Sequence, residues 1–180
     1  MTSADKADLL WEKDQLTALI LDFGWALDSG DWPLYRACLH DPVRIDFERL
    51  TGFPEIEVAA DDWTEFARLA LMSVKRHHSY TNLRITIDGS VATARVHMIA
   101  RHFLSTENGS AENTQYGWYE FAFTRAKDGH WQITRVKHWF QWVSGNAGLF
   151  DFSSGPVAEA TGRVFNVANL VNGLGPTAAP

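Results

Sequence analysis

Arg76-His77-His78-Ser79-Tyr80-Thr81-Asn82 stands where the chain changes its period. Before it, apolar residues recur at three- and four-residue spacing; after it they alternate. The stretch therefore divides a helical half from a β half. After it, residues 80–87 read as a strand with Leu83, Ile85 and Ile87 on one face, and Asp88-Gly89 is a hairpin turn. Residues 91–104 form the next strand. Ala92, Ala94, Val96, Met98, Ala100 and His102 share one of its faces, and Arg95, His97 and Arg101 the other. Residues 107–110 turn the chain. Residues 115–125 are a strand dense in aromatics, Asp128-Gly129 turns again, and residues 131–143 close the meander. The last strand carries Trp131, Ile133 and Trp139 on one face against Val136, Phe140 and Trp142 on the other. A half-solvated strand alternates more cleanly, so the outer face of the sheet is expected to be buried by self-association.

Working back from the boundary, residues 61–72 read as a helix capped by Asp61. Residues 50–60 read as a loop around Gly52 and Pro54, and Val43-Arg44-Ile45-Asp46-Phe47 as a short strand after an Asp41-Pro42 turn. A short helix with Pro33 in its first turn follows an Asp31 cap and ends near residue 39. The first helix covers residues 5–29, with Leu9, Leu16, Leu19, Ile20, Phe23 and Leu27 on one stripe. Gly24 suits a close approach on that stripe, and Gly30 suits a left-handed cap. Three N-terminal helices followed by a mainly antiparallel meander define an α+β domain. A sheet curled over helices leaves a cone whose apolar interior is the expected ligand site. Residues 1–152 hold this domain. Residues 153–180 form a tail, with a weak helix expected over residues 157–171 and a disordered end over residues 173–180. The tail is placed over the pocket mouth or on a neighbouring subunit.

Composition narrows the function classes. The chain has 180 residues, 46% apolar and 21% charged, which suits one globular domain. Eight tryptophans and eleven phenylalanines point to a core or pocket with aromatic walls. The net charge is −6 with no run of Lys or Arg, which argues against a nucleic-acid partner. No stretch approaches the ~18 apolar residues of a membrane span, and the N-terminus lacks a signal-peptide pattern, so a cytoplasmic protein is expected. Cys38 is the single cysteine and sits among apolar helical residues, as a core thiol does. No serine lies in a Gly-x-Ser-x-Gly elbow, and the seven histidines show no compact ligand spacing beside an acid. Neither a metal nor another cofactor is expected.

Histidine titrates nearest neutral pH, so the 76–82 stretch is the first place to look for chemistry. Neighbouring strand residues face opposite ways, and only one of His77 and His78 enters the cone; a bulge would change which. His102 lies on the face that would line a pocket. Asp28, at the end of the first helix, reads either as a solvated terminal carboxylate or as the partner of one histidine. Such a partner fixes the imidazole tautomer and raises its basicity. Trp118, Tyr116 and Tyr119 are candidate wall residues. Glu120, a carboxylate among aromatics, is a candidate acid or hydrogen-bonding group.

Several local motifs resemble the SnoaL-like group of the nuclear transport factor 2-like superfamily, over residues 15–152. Leu27-Asp28-Ser29-Gly30-Asp31-Trp32, Val43-Arg44-Ile45-Asp46-Phe47, Asp128-Gly129-His130-Trp131 and Gly148-Leu149-Phe150-Asp151-Phe152 are similar to segments of the scytalone dehydratases. His78-Ser79-Tyr80-Thr81-Asn82-Leu83-Arg84 resembles a segment of the hexachlorocyclohexane dehydrochlorinases. The resemblance implies a cone-shaped, cystatin-like α+β barrel and a homo-oligomer, a trimer or a dimer. It also implies that Asp28 orients His78 as general base, with His102 as the second pocket histidine. Leu27 and Phe47 stand where the dehydratases carry tyrosines that polarise the substrate. The expected catalytic set is Asp28, His78 and His102, and the expected substrate-binding set is Trp25, Leu27, Phe47, Tyr116, Trp118 and Glu120. The expected activity is that of a cofactor-free lyase, dehydratase-like, or an isomerase acting on a small apolar aromatic or alicyclic molecule. The rival readings are a non-catalytic ligand carrier and a structural subunit like the β subunits of ring-hydroxylating dioxygenases.

Overall fold

The computed structural model describes residues 2–107 and 109–171. The expected disorder of residues 173–180 lies outside them. Helix α1 (Ser3–Ser29) opens on a reciprocal capping box between Thr2 and Asp5 and closes on Gly30 at φ 75°. Leu16, Ile20, Phe23 and Leu27 are its buried stripe, while its first turns project Leu10 and Trp11 into solvent. Helix α2 (Trp32–Cys38) is capped by the Asp31 side chain on the Leu34 N–H, 3.0 Å, as its sequence predicts.

Strand β1 (Leu39–Asp46) runs through Asp41-Pro42, whose peptide is cis, so the expected turn is part of a strand. A one-turn helix α3 (Glu48–Thr51) and a three-residue strand β2 (Ile56–Val58) occupy the expected loop. Both are too short to show a period, and β2 exists because it pairs with β1. Helix α4 (Ala60–Leu71) starts one residue before Asp61; its N-cap residue is Ala59, and the Asp41 carboxylate, not Asp61, accepts from its first N–H, that of Ala60, at 3.0 Å. Four long strands follow: β3 (Lys75–Asp88), β4 (Val91–Thr106), β5 (Gly109–Arg125) and β6 (Trp131–Gly145). The tail forms helix α5 (Gly155–Val164) and a short 3-10 turn, Val167–Asn169.

The six strands make one curved, open sheet in the order β2-β1-β6-β5-β4-β3. Only the β1–β6 pair is parallel. The sheet does not close, so the barrel of the expectation is a half-cone. Helices fill its concave side, α1 lying chiefly along β3 and α4 against α5. A Cβ on Gly24 would come 2.6 Å from the Tyr80 ring, so the glycine lets this tyrosine lie under α1. Ala160 and Val164 of α5 are fully buried in the common core, and the tail bonds back to β2 through Ile56–Leu170 pairing and Val171 N–H to Glu55 O, 3.1 Å. That covers an edge which would otherwise stay unpaired.

Within the meander β3–β6, three register shifts set which side chains face inward. The first lies between Thr81 and Arg84 of β3, where Asn82 takes φ 56° and one extra residue opposes β4. The other two insert Thr134 and Gln141 into β6. They correct the face assignment of the last strand. Trp131, Ile133, Val136, His138, Phe140 and Val143 point inward, whereas Trp139 and Trp142 point outward.

Candidate functional site

Asp28 occupies the last turn of α1, next to the Gly30 cap that turns the chain away. Its carboxylate accepts three hydrogen bonds from one residue. The His78 backbone N–H lies 3.0 and 2.8 Å from the two oxygens, and His78 Nδ1 is 2.7 Å from Oδ1. His77 stays on the exposed side, its Nδ1 4.0 Å from Asp28. Burial by itself raises the Asp28 carboxyl, but the ring and backbone hydrogen bonds from His78 outweigh it and hold the group below its ordinary range. The arrangement fixes Nδ1 as the N–H donor and leaves the Nε2 lone pair as the basic site. Arg76 closes the back of the pair, donating to Leu71 O at 2.5 Å and lying over the Trp32 ring.

The inward face of His78 borders a cavity of about 640 Å³ between the sheet and α4, α5 and the tail. That volume suits a small organic ligand, for which pockets run roughly 300–1,000 Å³. Aromatic rings dominate the wall: Phe23, Phe47, Trp63, Phe66, Tyr119 and Phe140. No Lys, Arg, Asp or Glu is among its lining residues. The tail contributes the outer wall. Phe150 sits edge-on to His102 at 4.9 Å and stacks on Phe152, and Phe165 packs on Phe53 and Phe66.

His102 is 5% exposed, with its ring 6.0 Å from that of His78 and its Nδ1 unpartnered. Burial, reinforced by the charge on His78, brings it down to about 4, so it is neutral at neutral pH. Asn113 lies opposite it on β5, donating to Asn146 O at 2.8 Å and leaving Oδ1 unpartnered. A third histidine, His138, lines the same cavity at 1% exposure. Its ring lies 5.1 Å from both Phe47 and Tyr119, and neither ring nitrogen has a partner. Burial takes it down to about 3, with His78 pushing the same way. A buried polar group without a partner costs about 1–3 kcal/mol.

The structure brings Asp28, His78 and His102 together and sets Leu27 and Phe47 in the cavity wall. Four residues of the expected binding set lie elsewhere. Strand parity turns Tyr116, Trp118 and Glu120 to the outer face, and of the inward residues of β5 it is Asn113, Gln115 and Tyr119 that line the cavity. There Tyr116 stacks on Trp142, Trp118 on Trp139, and Glu120 pairs with Arg95. The Glu120 carboxylate is thus a neutralised surface group. Trp25 is 66% exposed on the solvent side of α1. His138 carried no signal in the sequence: the inserted Thr134 reverses the parity that would turn it outward. Among the described residues, no three His, Cys, Asp or Glu gather in a metal-binding cluster. Cys38 is buried, and burial raises its thiol to about 12.

The SnoaL-like domain family matches residues 8–137, and the chain belongs to that family. No curated protein matches it in sequence. Among solved structures, the Kfla4162 protein of Kribbella flavida is 28% identical, with a TM-score of 0.70 over 75% of this chain and 93% of that one. A Novosphingobium aromaticivorans protein described as a candidate scytalone dehydratase is 16% identical, with a TM-score of 0.64 over 78% and 91%. A hexachlorocyclohexane dehydrochlorinase of Novosphingobium barchaimii is 15% identical, with a TM-score of 0.63 over 84% and 99%. The last two establish a shared fold. Another neighbour carries the description of an NTF2-like protein with a cystatin-like fold.

Proposed function

We propose that the protein is a cofactor-free lyase in which His78 removes a proton from carbon in an apolar pocket. The observation that carries this reading is the grip of Asp28 on His78, through both the ring and the backbone. A carboxylate held there orients the imidazole before reaction and stabilises the imidazolium formed when Nε2 accepts the proton. His102, neutral and opposite Asn113, faces the leaving group. The substrate is a small aromatic or alicyclic molecule, in keeping with the uncharged aromatic wall. Dehydration is the favoured outcome; halide elimination, double-bond migration and formaldehyde loss begin with the same step. Homo-oligomerisation, as a trimer or a dimer, belongs to the same reading. The outer face supports it, with Trp142 57% exposed beside Tyr116 and Ile99.

The base is testable without the natural substrate. 5-Nitrobenzisoxazole is a planar apolar ring that loses its C–H proton to a base as the N–O bond breaks, giving a coloured cyanophenolate. The wild-type protein is expected to catalyse this elimination, and His78→Ala and Asp28→Asn to lower kcat/KM by roughly 10²–10⁴-fold and at least tenfold, respectively. Full activity in the folded His78→Ala variant overturns the assignment.

A further inference from the structure

The cavity wall is mainly aromatic and carries no charged side chain beyond the His78 dyad, and at two places on it buried polar atoms lack partners. One is the pair His102 Nδ1 and Asn113 Oδ1, beside the dyad. The other is His138, which no role assigned above uses. It stands on β6, with β5 and β4 between it and His78 on β3. The two imidazoles thus enter the cavity from different walls, close enough for charge on one to oppose charge on the other. Both nitrogens of His138 lack partners, although Phe47, Tyr119 and Phe140 surround its ring and water barely reaches it. A neutral imidazole offers one N–H and one lone pair, and burying both unpaired is unfavourable unless a ligand completes them. A ligand carrying only hydrocarbon or halogen would leave the N–H without a good acceptor.

We propose that His138 is a substrate-binding residue that takes a hydroxyl or carbonyl oxygen on the ring of the substrate, opposite the carbon facing His78. This rests on the lyase reading for the position of the reacting carbon, but the oxygen site itself does not depend on it. The substrate class becomes an oxygenated aromatic or alicyclic ring: a phenol, a naphthol or a cyclic ketone. Chemically the pairing is apt. Proton removal from carbon leaves an electron pair, and an oxygen conjugated with that carbon receives it. A hydrogen-bond donor fixed at the oxygen favours the charge where it develops.

The test compares two probes of nearly equal shape, 2-naphthol and 2-methylnaphthalene, by titration against tryptophan fluorescence. The wild-type protein is expected to bind 2-naphthol at least about tenfold more tightly. His138→Leu should bring the two affinities within about twofold of each other, by weakening 2-naphthol alone. A structural role for His138 would lower both affinities together and leave their ratio intact, which overturns the proposal. So does a wild-type protein with no preference, or with no binding of either probe. In the unmodified protein, the imidazole ¹⁵N resonances of His138 should move with 2-naphthol and not with 2-methylnaphthalene; unmoved resonances contradict the assignment even if the leucine variant does not fold. His78→Ala should keep the naphthol preference, so the fate of the base and the fate of the oxygen site are read separately.

Discussion

At the scale of single residues, a carboxylate that is not free to leave its histidine decides the chemistry. Asp28 accepts two bonds from a backbone N–H and one from the ring, so its substitutions should separate structure from chemistry. Asp28→Asn keeps the shape and an acceptor oxygen; it should fold with a loss of about 1 kcal/mol or less and still lose activity. Asp28→Ala removes the acceptor from a half-buried backbone N–H and should cost about 1–3 kcal/mol by urea unfolding. Equal stability of the two variants would show that the backbone bonds contribute little. The Asp28–His78 pair was legible only through the resemblance, because by itself a helix-end aspartate reads equally as a solvated terminal carboxylate. His138 was not legible. Its side depends on one inserted residue, Thr134, which no local pattern marks.

At the scale of elements, β3 decides which of the two adjacent histidines faces the cavity. Counting alternately back from Leu83 along a regular strand brings Thr81, Ser79 and His77 to the inner face. Asn82, in the left-handed region at φ 56°, adds one residue, and His78 and Tyr80 turn inward instead. Asparagine tolerates this conformation better than most residues, so Asn82→Gly should be neutral within about 0.5 kcal/mol and Asn82→Val should cost about 1–2 kcal/mol. Deleting Asn82 should restore regular pairing with Thr81 outward and Tyr80 and His78 still inward, so elimination should persist; a folded deletion variant that has lost its kcat would contradict this parity. On α1, Gly24→Ala should destabilise by about 1–3 kcal/mol, because the added Cβ meets Tyr80 at 2.6 Å. On an open helix the same change stabilises by up to about 1 kcal/mol, so the sign alone tests the packing. The long helices and strands were readable from period and turn chemistry. β2 and α3 were not, since three or four residues hold no period and their existence depends on neighbours.

At the scale of the molecule, the buried histidines make the fold sensitive to acid. His102 and His138 lie at about 4 and about 3, against 6.5 when the chain is unfolded. Between those values the unfolded chain binds more protons, so stability is complete above about pH 6.5 and falls as the pH drops through the folded values. The loss for His102 alone is on the order of 3 kcal/mol by pH 4. Thermal midpoints measured from pH 7.5 to 4.5 should fall steadily, and His138→Leu should flatten the slope; a slope unchanged by that variant would mean His138 is not buried as a neutral ring. The outer aromatic face makes a separate prediction. The wild-type protein should sediment as a homo-oligomer, and Trp142→Glu should shift it toward monomer; a wild-type monomer would show that the face is not an interface. The α+β architecture and concave pocket were legible in the sequence from the change of period at residues 76–82. The orientation of β5 was harder: its aromatics drew Tyr116, Trp118 and Glu120 into the expected pocket, whereas parity places Tyr119 there. Among the described residues no helix is long and apolar enough to cross a membrane.

The most direct test of the Asp28–His78 base is chemical rescue. His78→Ala opens an imidazole-sized space beside an intact Asp28 carboxylate. Added imidazole should restore elimination of 5-nitrobenzisoxazole in that variant, in saturable fashion, and should fail to do so in the Asp28→Asn, His78→Ala double variant. A His78→Ala variant that needs no rescue, or a rescue indifferent to Asp28, would contradict the account.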